Sequence, residues 1–365
     1  MALVVAVSAA MLTACGSDAT TTTSSAADVD ACKTASADAV EKLRAEPQFA
    51  LPDTTIKAGI GTGKSVWVAN LLSNELVVNI TNGIKDAADA AGLEFKELNG
   101  TGTTQSSNQM ITTALGAGAD AIILNGIDPS TVTNPLEQAK AAGVPVITVI
   151  SGVLDNDNPL IFGDVTPDEN KLGTGYADYA LFKTDCDLKL GSIALPKAFE
   201  LNYTLDKDTH AEVERLCPSC TVDTIEMDIA NLATALPTQV QSLLKRNPEI
   251  NYLALGFDAI ASYVGSSATR INPDIKMIGN NGLTPNMKDI IDGGVQEADL
   301  TYPPNEYVGW LLMDKVLSAF SGGERGNTEI PMRLADETNI GDGDLTKLFP
   351  SWDGFESKFT EHWGL

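Results

Sequence analysis

Ser65-Val-Trp-Val-Ala-Asn70, Ala121-Ile-Ile-Leu-Asn125 and Val146-Ile-Thr-Val-Ile150 are short apolar runs rich in β-branched residues. Residues 93–98 form a fourth strand-like run, and amphipathic stretches at residues 76–92, 104–118 and 131–143 separate the four. Strand-sized apolar runs alternating with helices of this length build a parallel sheet with crossover helices, an α/β fold. Open sheets of this kind take ligands beyond the carboxyl ends of their strands. Three of these ends are polar here: Asn70, the turn from Asn125 to Asp128, and Ser151.

At 365 residues the chain exceeds one ordinary core and suits two α/β lobes. A formal charge of -25 at pH 7 argues against a nucleic-acid or anionic-membrane surface, because both attract Lys and Arg. Residues 2–12 form an apolar run of signal-peptide length, too short to remain as a membrane span. The run ends in Leu12-Thr13-Ala14-Cys15, which resembles a bacterial lipobox, although no basic residue precedes it. Lipidation of Cys15 would hold the protein on the outer face of a membrane. Residues 16–30, rich in Ser, Thr, Ala and Asp, read as the tether that follows such an anchor.

Export places Cys32, Cys186, Cys217 and Cys220 in an oxidising compartment, where disulfides are expected before metal sites or catalytic thiols. Cys217-Pro-Ser-Cys220 has the spacing of a redox motif or a zinc half-site, but no second Cys or His pair completes a ligand set. A tight structural bridge between Cys217 and Cys220 fits their places at a helix end and before a strand. Cys186 competes for the same partners, and four cysteines leave three pairings open.

A helix is expected at residues 31–45, stopped by Pro47, then an irregular linker at residues 49–63. A second βα series begins near Leu188, with strands at residues 190–195, 222–227, 252–255, 277–280 and 298–301. Its helices fall at residues 204–216, 234–246, 259–269 and 285–292. Ala121-Ile-Ile-Leu-Asn-Gly-Ile-Asp128 and Tyr252-Leu-Ala-Leu-Gly-Phe-Asp258 are alike, each an apolar strand ending in a glycine turn with an aspartate, so the two series read as equivalent lobes. A 3.6-residue apolar period at residues 307–320 marks a helix that returns the chain to the first lobe.

Several motifs carry no chemistry. Ala58-Gly-Ile-Gly-Thr-Gly-Lys-Ser65 satisfies a loose phosphate-loop pattern, yet no strand precedes it and a strand, not a helix, follows. Two histidines, His210 and His362, are too few for a Ser-His-Asp triad or a histidine metal centre. The pairs Asp155/Asp157 and Asp206/Asp208 lack a full calcium loop. No cofactor is expected.

The assembled residues resemble the type I periplasmic binding proteins of the ribose and galactose-like branch, over residues 65–335. The likeness rests on Asn82-Gly-Ile-Lys-Asp-Ala-Ala88, Gly118-Ala-Asp-Ala-Ile-Ile-Leu124 followed by Asp128, Ala141-Ala-Gly-Val-Pro-Val-Ile-Thr148 and Gly279-Asn-Asn-Gly282. It implies two Rossmann-like lobes with parallel sheets, joined by a three-strand hinge that closes on a ligand. The expected division is residues 1–15 signal peptide and lipobox, and 16–63 tether and accessory helix. Residues 64–165 plus 303–330 would form the first lobe, and 166–302 plus 331–365 the second lobe and tail.

Carried over position by position, the resemblance assigns the ligand pocket to Asn70, Asn74, Glu75 and Asp128 of the first lobe. From the second lobe it assigns the Asn202-Tyr203 loop, Phe257, Asp258, Asn281 and the Thr301-Tyr302 crossover. Sugar-binding members place Asn-Pro-Phe-Phe after the first strand, where this chain has Asn74-Glu-Leu-Val77; their pocket arginine aligns near Tyr203, and an aspartate is replaced by Asn281. Loss of a bidentate donor and its acceptor points away from a ribose-like ligand toward a small neutral solute, an uncharged polyol, a modified sugar or a related molecule, or else a cationic one.

The resemblance implies a monomeric, lipid-anchored solute-binding protein that delivers its solute to an ABC permease, with no enzymatic step. A receptor subunit for a chemotaxis or sensor-kinase system uses the same fold. An extracytoplasmic enzyme working through carboxylates alone is the alternative from another class.

Overall fold

The computed structural model describes residues 26–152, 154, 158–197 and 199–365. The Cys15 lipobox and the Asp155/Asp157 pair lie outside the described residues. An accessory helix α1 (Ala26–Arg44) precedes the first lobe. The lobe runs β1 (Ser65–Asn70), α2 (Glu75–Ala90), β2 (Glu94–Asn99), α3 (Thr104–Gly116), β3 (Ala121–Asn125), α4 (Thr133–Ala142), β4 (Val146–Val149) and β5 (Gly163–Pro167). The chain then crosses into α5 (Glu169–Lys183), β6 (Lys189–Ala194), α6 (Glu200–Leu216), β7 (Thr221–Glu226), α7 (Leu232–Arg246), β8 (Tyr252–Leu255), α8 (Ala259–Ile271), β9 (Lys276–Asn280), α9 (Thr284–Ile291) and β10 (Gln296–Thr301). Helix α10 (Asn305–Ser321) and β11 (Thr328–Ile330) return to the first lobe, and β12 (Arg333–Asp336) goes back to the second. Helices α11 (Leu345–Leu348) and α12 (Phe355–His362) end the chain.

The two sheets have one topology, β11-β5-β4-β3-β1-β2 and β12-β10-β9-β8-β6-β7. Every pairing is parallel except β10 with β12. This is the type I periplasmic binding protein arrangement, with three crossings between lobes at residues 168, 302–304 and 331–332. Strands β3, β4 and β8 are buried along their whole length, which is why they read as unbroken apolar runs rather than as alternating ones.

Three expectations need correction. Strand β5 and helix α5 occupy residues left between the two expected series; α5 is buried on nearly all sides, between its sheet, α1 and α6, and so carries no one-sided stripe. Asn202 and Tyr203 belong to the first turn of α6, which starts at Glu200, rather than to a loop. The tail expected with the second lobe packs on the first. Phe349, Trp352, Phe355, Phe359 and Trp363 join Tyr307 and Trp310 of α10 in one buried cluster, with Trp310 and Trp363 stacked at 5.2 Å. Apolar area this large is buried where the partner surface is, and α10 lies on the first sheet.

Two disulfides close the cysteine question: Cys32–Cys186 ties α1 to the loop after α5, and Cys217–Cys220 bridges the turn before β7. Among the described residues no helix is long and apolar enough to cross a membrane.

Candidate ligand cleft between the lobes

The carboxyl ends of both sheets face each other, and among the described residues two cavities open between the lobes. One, of about 600 Å³, lies between Asp128, Ser130, Thr148, Gly152 and Asp164 of the first lobe and Lys197, Glu200, Tyr203 and Lys207 of the second. The other, of about 290 Å³, lies between Leu71, Ser107, Ile127 and Asp128 on one side and Phe199, Glu226, Met227 and Asp228 on the other. Asp128 lines both.

Asp128 stands where β3 turns into the next helical segment. Its carboxylate accepts the Ser130 N–H at 2.7 Å, the Asx geometry that favours aspartate at such a start. Burial pushes its carboxyl above the ordinary carboxylate range, and hydrogen bonding to Ser130 pulls against that. Asp164 is fully buried on β5, two strands over from β3. It accepts the Thr148 hydroxyl at 2.8 Å and the Gly152 N–H at 2.6 Å. Burial lifts it to about 6, with the charge on Asp128 adding to the lift.

The other expected pocket residues divide by task. Asn70 is 1% exposed and spends its amide inside its own lobe, donating to Glu97 and Asn99 and accepting from Thr81. Asn74 caps α2 by accepting the Val77 N–H at 3.0 Å. Glu75 reaches across the cleft and accepts the N–H of Thr284, the first residue of α9, at 3.0 Å. Phe257 packs against the core beneath α7 and α8.

Asp258 is fully buried and accepts the Leu283 N–H at 2.9 Å and Gln296 Nε2 at 3.0 Å. Gln296 Nε2 also reaches Asp299 at 3.0 Å. Burial first, then the charge on Asp258, drives Asp299 well above its ordinary range, and burial raises Asp258 as well.

Asn281 and Tyr302 sit at the β10 crossing in a second buried network. Tyr302 Oη donates to Asn280 Oδ1 at 3.2 Å, Asn281 Nδ2 donates to the same atom at 2.9 Å, and Asn280 Nδ2 donates to Tyr176 Oη at 2.6 Å. Asn281 has φ +114° and Ile150 φ +52°. These residues follow β9 and β4, the equivalent strands of the two lobes. Strained backbone at matched cleft positions costs on the order of 1–3 kcal/mol each and persists only where the surroundings hold it.

Of the expected set, the structure brings Asp128 and Tyr203 to the cavity walls and Glu75 to the contact between lobes. The remaining six line neither of these cavities. Sequence reasoning missed Thr148, Asp164, Glu200, Glu226 and Asp228. For the first two a signal existed, since a polar residue inside a fully buried parallel strand needs a partner.

Two alike lobes, three crossings and a polar cavity between them are the architecture of a hinged type I binding protein. Residues 66–324 match the family described as periplasmic binding protein domain, and the chain belongs to that family. The Ribose import binding protein RbsB of Bacillus subtilis (strain 168) is 28% identical over 104 residues, a match covering 28% of this chain and 33% of that protein. The match thus spans about a third of that relative's length. An ABC sugar transporter subunit from Rhodobacter sphaeroides 2.4.1 is similar in fold, with 16% identity and a TM-score of 0.68 over 76% of this chain and 99% of that one. An ABC transporter solute binding protein from Agrobacterium vitis with bound allitol has 16% identity and a TM-score of 0.70, over 77% and 98%. One from Bacillus halodurans C-125 with bound myo-inositol has 13% identity and a TM-score of 0.65, over 80% and 99%.

Proposed function

We propose that the protein is an extracytoplasmic solute-binding lipoprotein of an ABC importer, anchored through Cys15, which takes up a small hydroxylated solute between its lobes and closes on it. The observation that carries this reading is the polar cavity whose walls come from both lobes, because a solute touching Asp128 and Tyr203 together favours the closed form over the open one. Family membership supports binding without chemistry, and the allitol and myo-inositol held by similar folds support a polyol-sized solute. In this reading Asp128 and Tyr203 touch the solute and Glu75 holds the lobes together. Asn70, Asn74, Phe257, Asp258, Asn281 and Tyr302 keep the walls and hinge in shape.

Release of the bound solute by denaturation, its identification by mass spectrometry, and small-angle scattering with and without it test the proposal. The expected result is an unmodified small molecule whose addition lowers the radius of gyration. A solute returned chemically altered, or no compaction at saturation, counts against it. Metabolic labelling with a fatty acid, lost in Cys15→Ser, tests the anchor.

A further inference from the structure

We infer that the solute carries a positive charge, as an amine-bearing sugar or polyol does. This rests on the reading that the cleft binds a small solute, and deepens it by charge class.

The argument is the placement of charge by depth. Asp128 and Asp164 are 7% and 1% exposed, and both line the larger cavity. The hydrogen bonds they accept from Ser130, Thr148 and Gly152 all come from neutral donors. A buried carboxylate without a cation pays its desolvation unrelieved, and both carboxyls are raised for that reason. The cations of this cavity, Lys197 and Lys207, are exposed, so they stand at its rim in high dielectric, where they do little for a charge at the floor. Among the described residues no arginine lines either cavity, and the smaller one has no basic residue in its wall, only carboxylates, hydroxyls, an amide and apolar groups. A sugar acid would need the bidentate donor that is missing. A neutral sugar would leave Asp128 and Asp164 as they are, whereas an ammonium would supply the counter-ion that the protein withholds. The Phe199 ring on the smaller cavity is a face that also attracts cations, whereas the Tyr203 ring already has Lys207 Nζ 5.9 Å from its centroid.

Calorimetry with matched probes reads this directly: glucose against glucosamine and N-acetylglucosamine, and myo-inositol against its monoamino analogue, together with the charge of whatever solute denaturation releases. The amine member is expected to bind at least tenfold more tightly than its neutral partners. Asp128→Asn, which keeps an oxygen for the Ser130 N–H, is expected to erase that preference, read as the ratio of amine to neutral affinity within the variant; a ratio that stays as in the wild type overturns the inference. A released solute that is neutral or anionic, or neutral probes that bind as tightly as the amines, overturns the inference and leaves solute capture standing. Absence of any released solute together with no heat from any probe overturns both.

Discussion

Glu75 of the first lobe and Thr284 of the second are joined by one hydrogen bond, carboxylate to backbone N–H, at 3.0 Å. Thr284 opens α9, whose preceding amide, on Leu283, is already taken by Asp258. Two carboxylates from opposite lobes therefore satisfy consecutive free N–H groups at one helix start.

A carboxylate at a half-exposed helix N-terminus is worth about 1 kcal/mol, and this one exists only while the lobes are together. Glu75→Ala is expected to raise the dissociation constant of any solute about fivefold by favouring the open form. The order of preference among solutes should stay the same, because Glu75 does not line the described cavities. Titration calorimetry with scattering on the free protein checks this. A changed preference order would return Glu75 to the ligand-contact role the sequence suggested.

Asp178 on α5 is pushed up to about 7 by burial first and by Glu212 of α6 second, with Arg215 pulling the other way. In the unfolded chain the same carboxyl titrates near 4. Between these values the folded state binds the extra proton, so stability falls as pH rises from about 4 to 7, and the penalty is complete above that. Asp164, lifted to about 6, acts in the same direction within the window. Asp178→Asn should raise the urea midpoint at pH 8 by the equivalent of on the order of 1–2 kcal/mol, and leave it unchanged at pH 4. Equal shifts at both pH values would mean that packing, not charge, limits this site.

The two disulfides close loops of very different size, with sequence separations of 154 and 3. On chain-entropy grounds the long loop contributes about 5 kcal/mol and the short one about 2. Cys32→Ser should lower stability by the larger amount and speed hydrogen exchange throughout α1. The double change Cys217→Ser with Cys220→Ser should cost little and leave α1 protected. Equal losses in urea unfolding would show that the short bridge holds more than its own turn.

Legibility followed burial pattern. Strands β3, β4 and β8 announce themselves because both faces are covered, and α2 because one face is. Strand β5 was hidden by Asp164 and Thr166, polar residues that belong to the cavity floor and to a bond with Gly152, so the feature that makes it functional is what made it unlike a strand. Helix α5 was hidden for another reason, being buried almost all round, Asp178 included, so that no one-sided apolar stripe marks it. At the site, strand-end position picks out Asp128, which lines both cavities. It could not separate that residue from Asn70, because the difference is whether a neighbouring strand offers Glu97 and Asn99 to occupy the side chain. That is a matter of register between β1 and β2, where Asn70 pairs with Asn99.

Trp363 tests where the tail belongs. Its ring stacks on Trp310 of α10 at 5.2 Å and its Nε1–H donates to buried Asp314 at 2.9 Å. Asp314 also accepts the Thr54 hydroxyl at 2.9 Å and lies 3.4 Å from His362 Nε2, so linker, α10 and tail meet at one carboxylate. Trp363→Ala removes the ring and one donor, and is expected to cost about 3–5 kcal/mol, the range for a large buried aromatic. Trp363→Phe keeps an aromatic face and loses the N–H, and should cost about 1–3 kcal/mol, the desolvation of the acceptor left short of a partner. Hydrogen exchange localises the effect: α10 and α2, packed against each other on the first sheet, should lose protection, while α7 and α8 of the second lobe keep theirs. An alanine variant with wild-type exchange in α10 would show that the tail merely covers the first lobe and adds nothing to its stability.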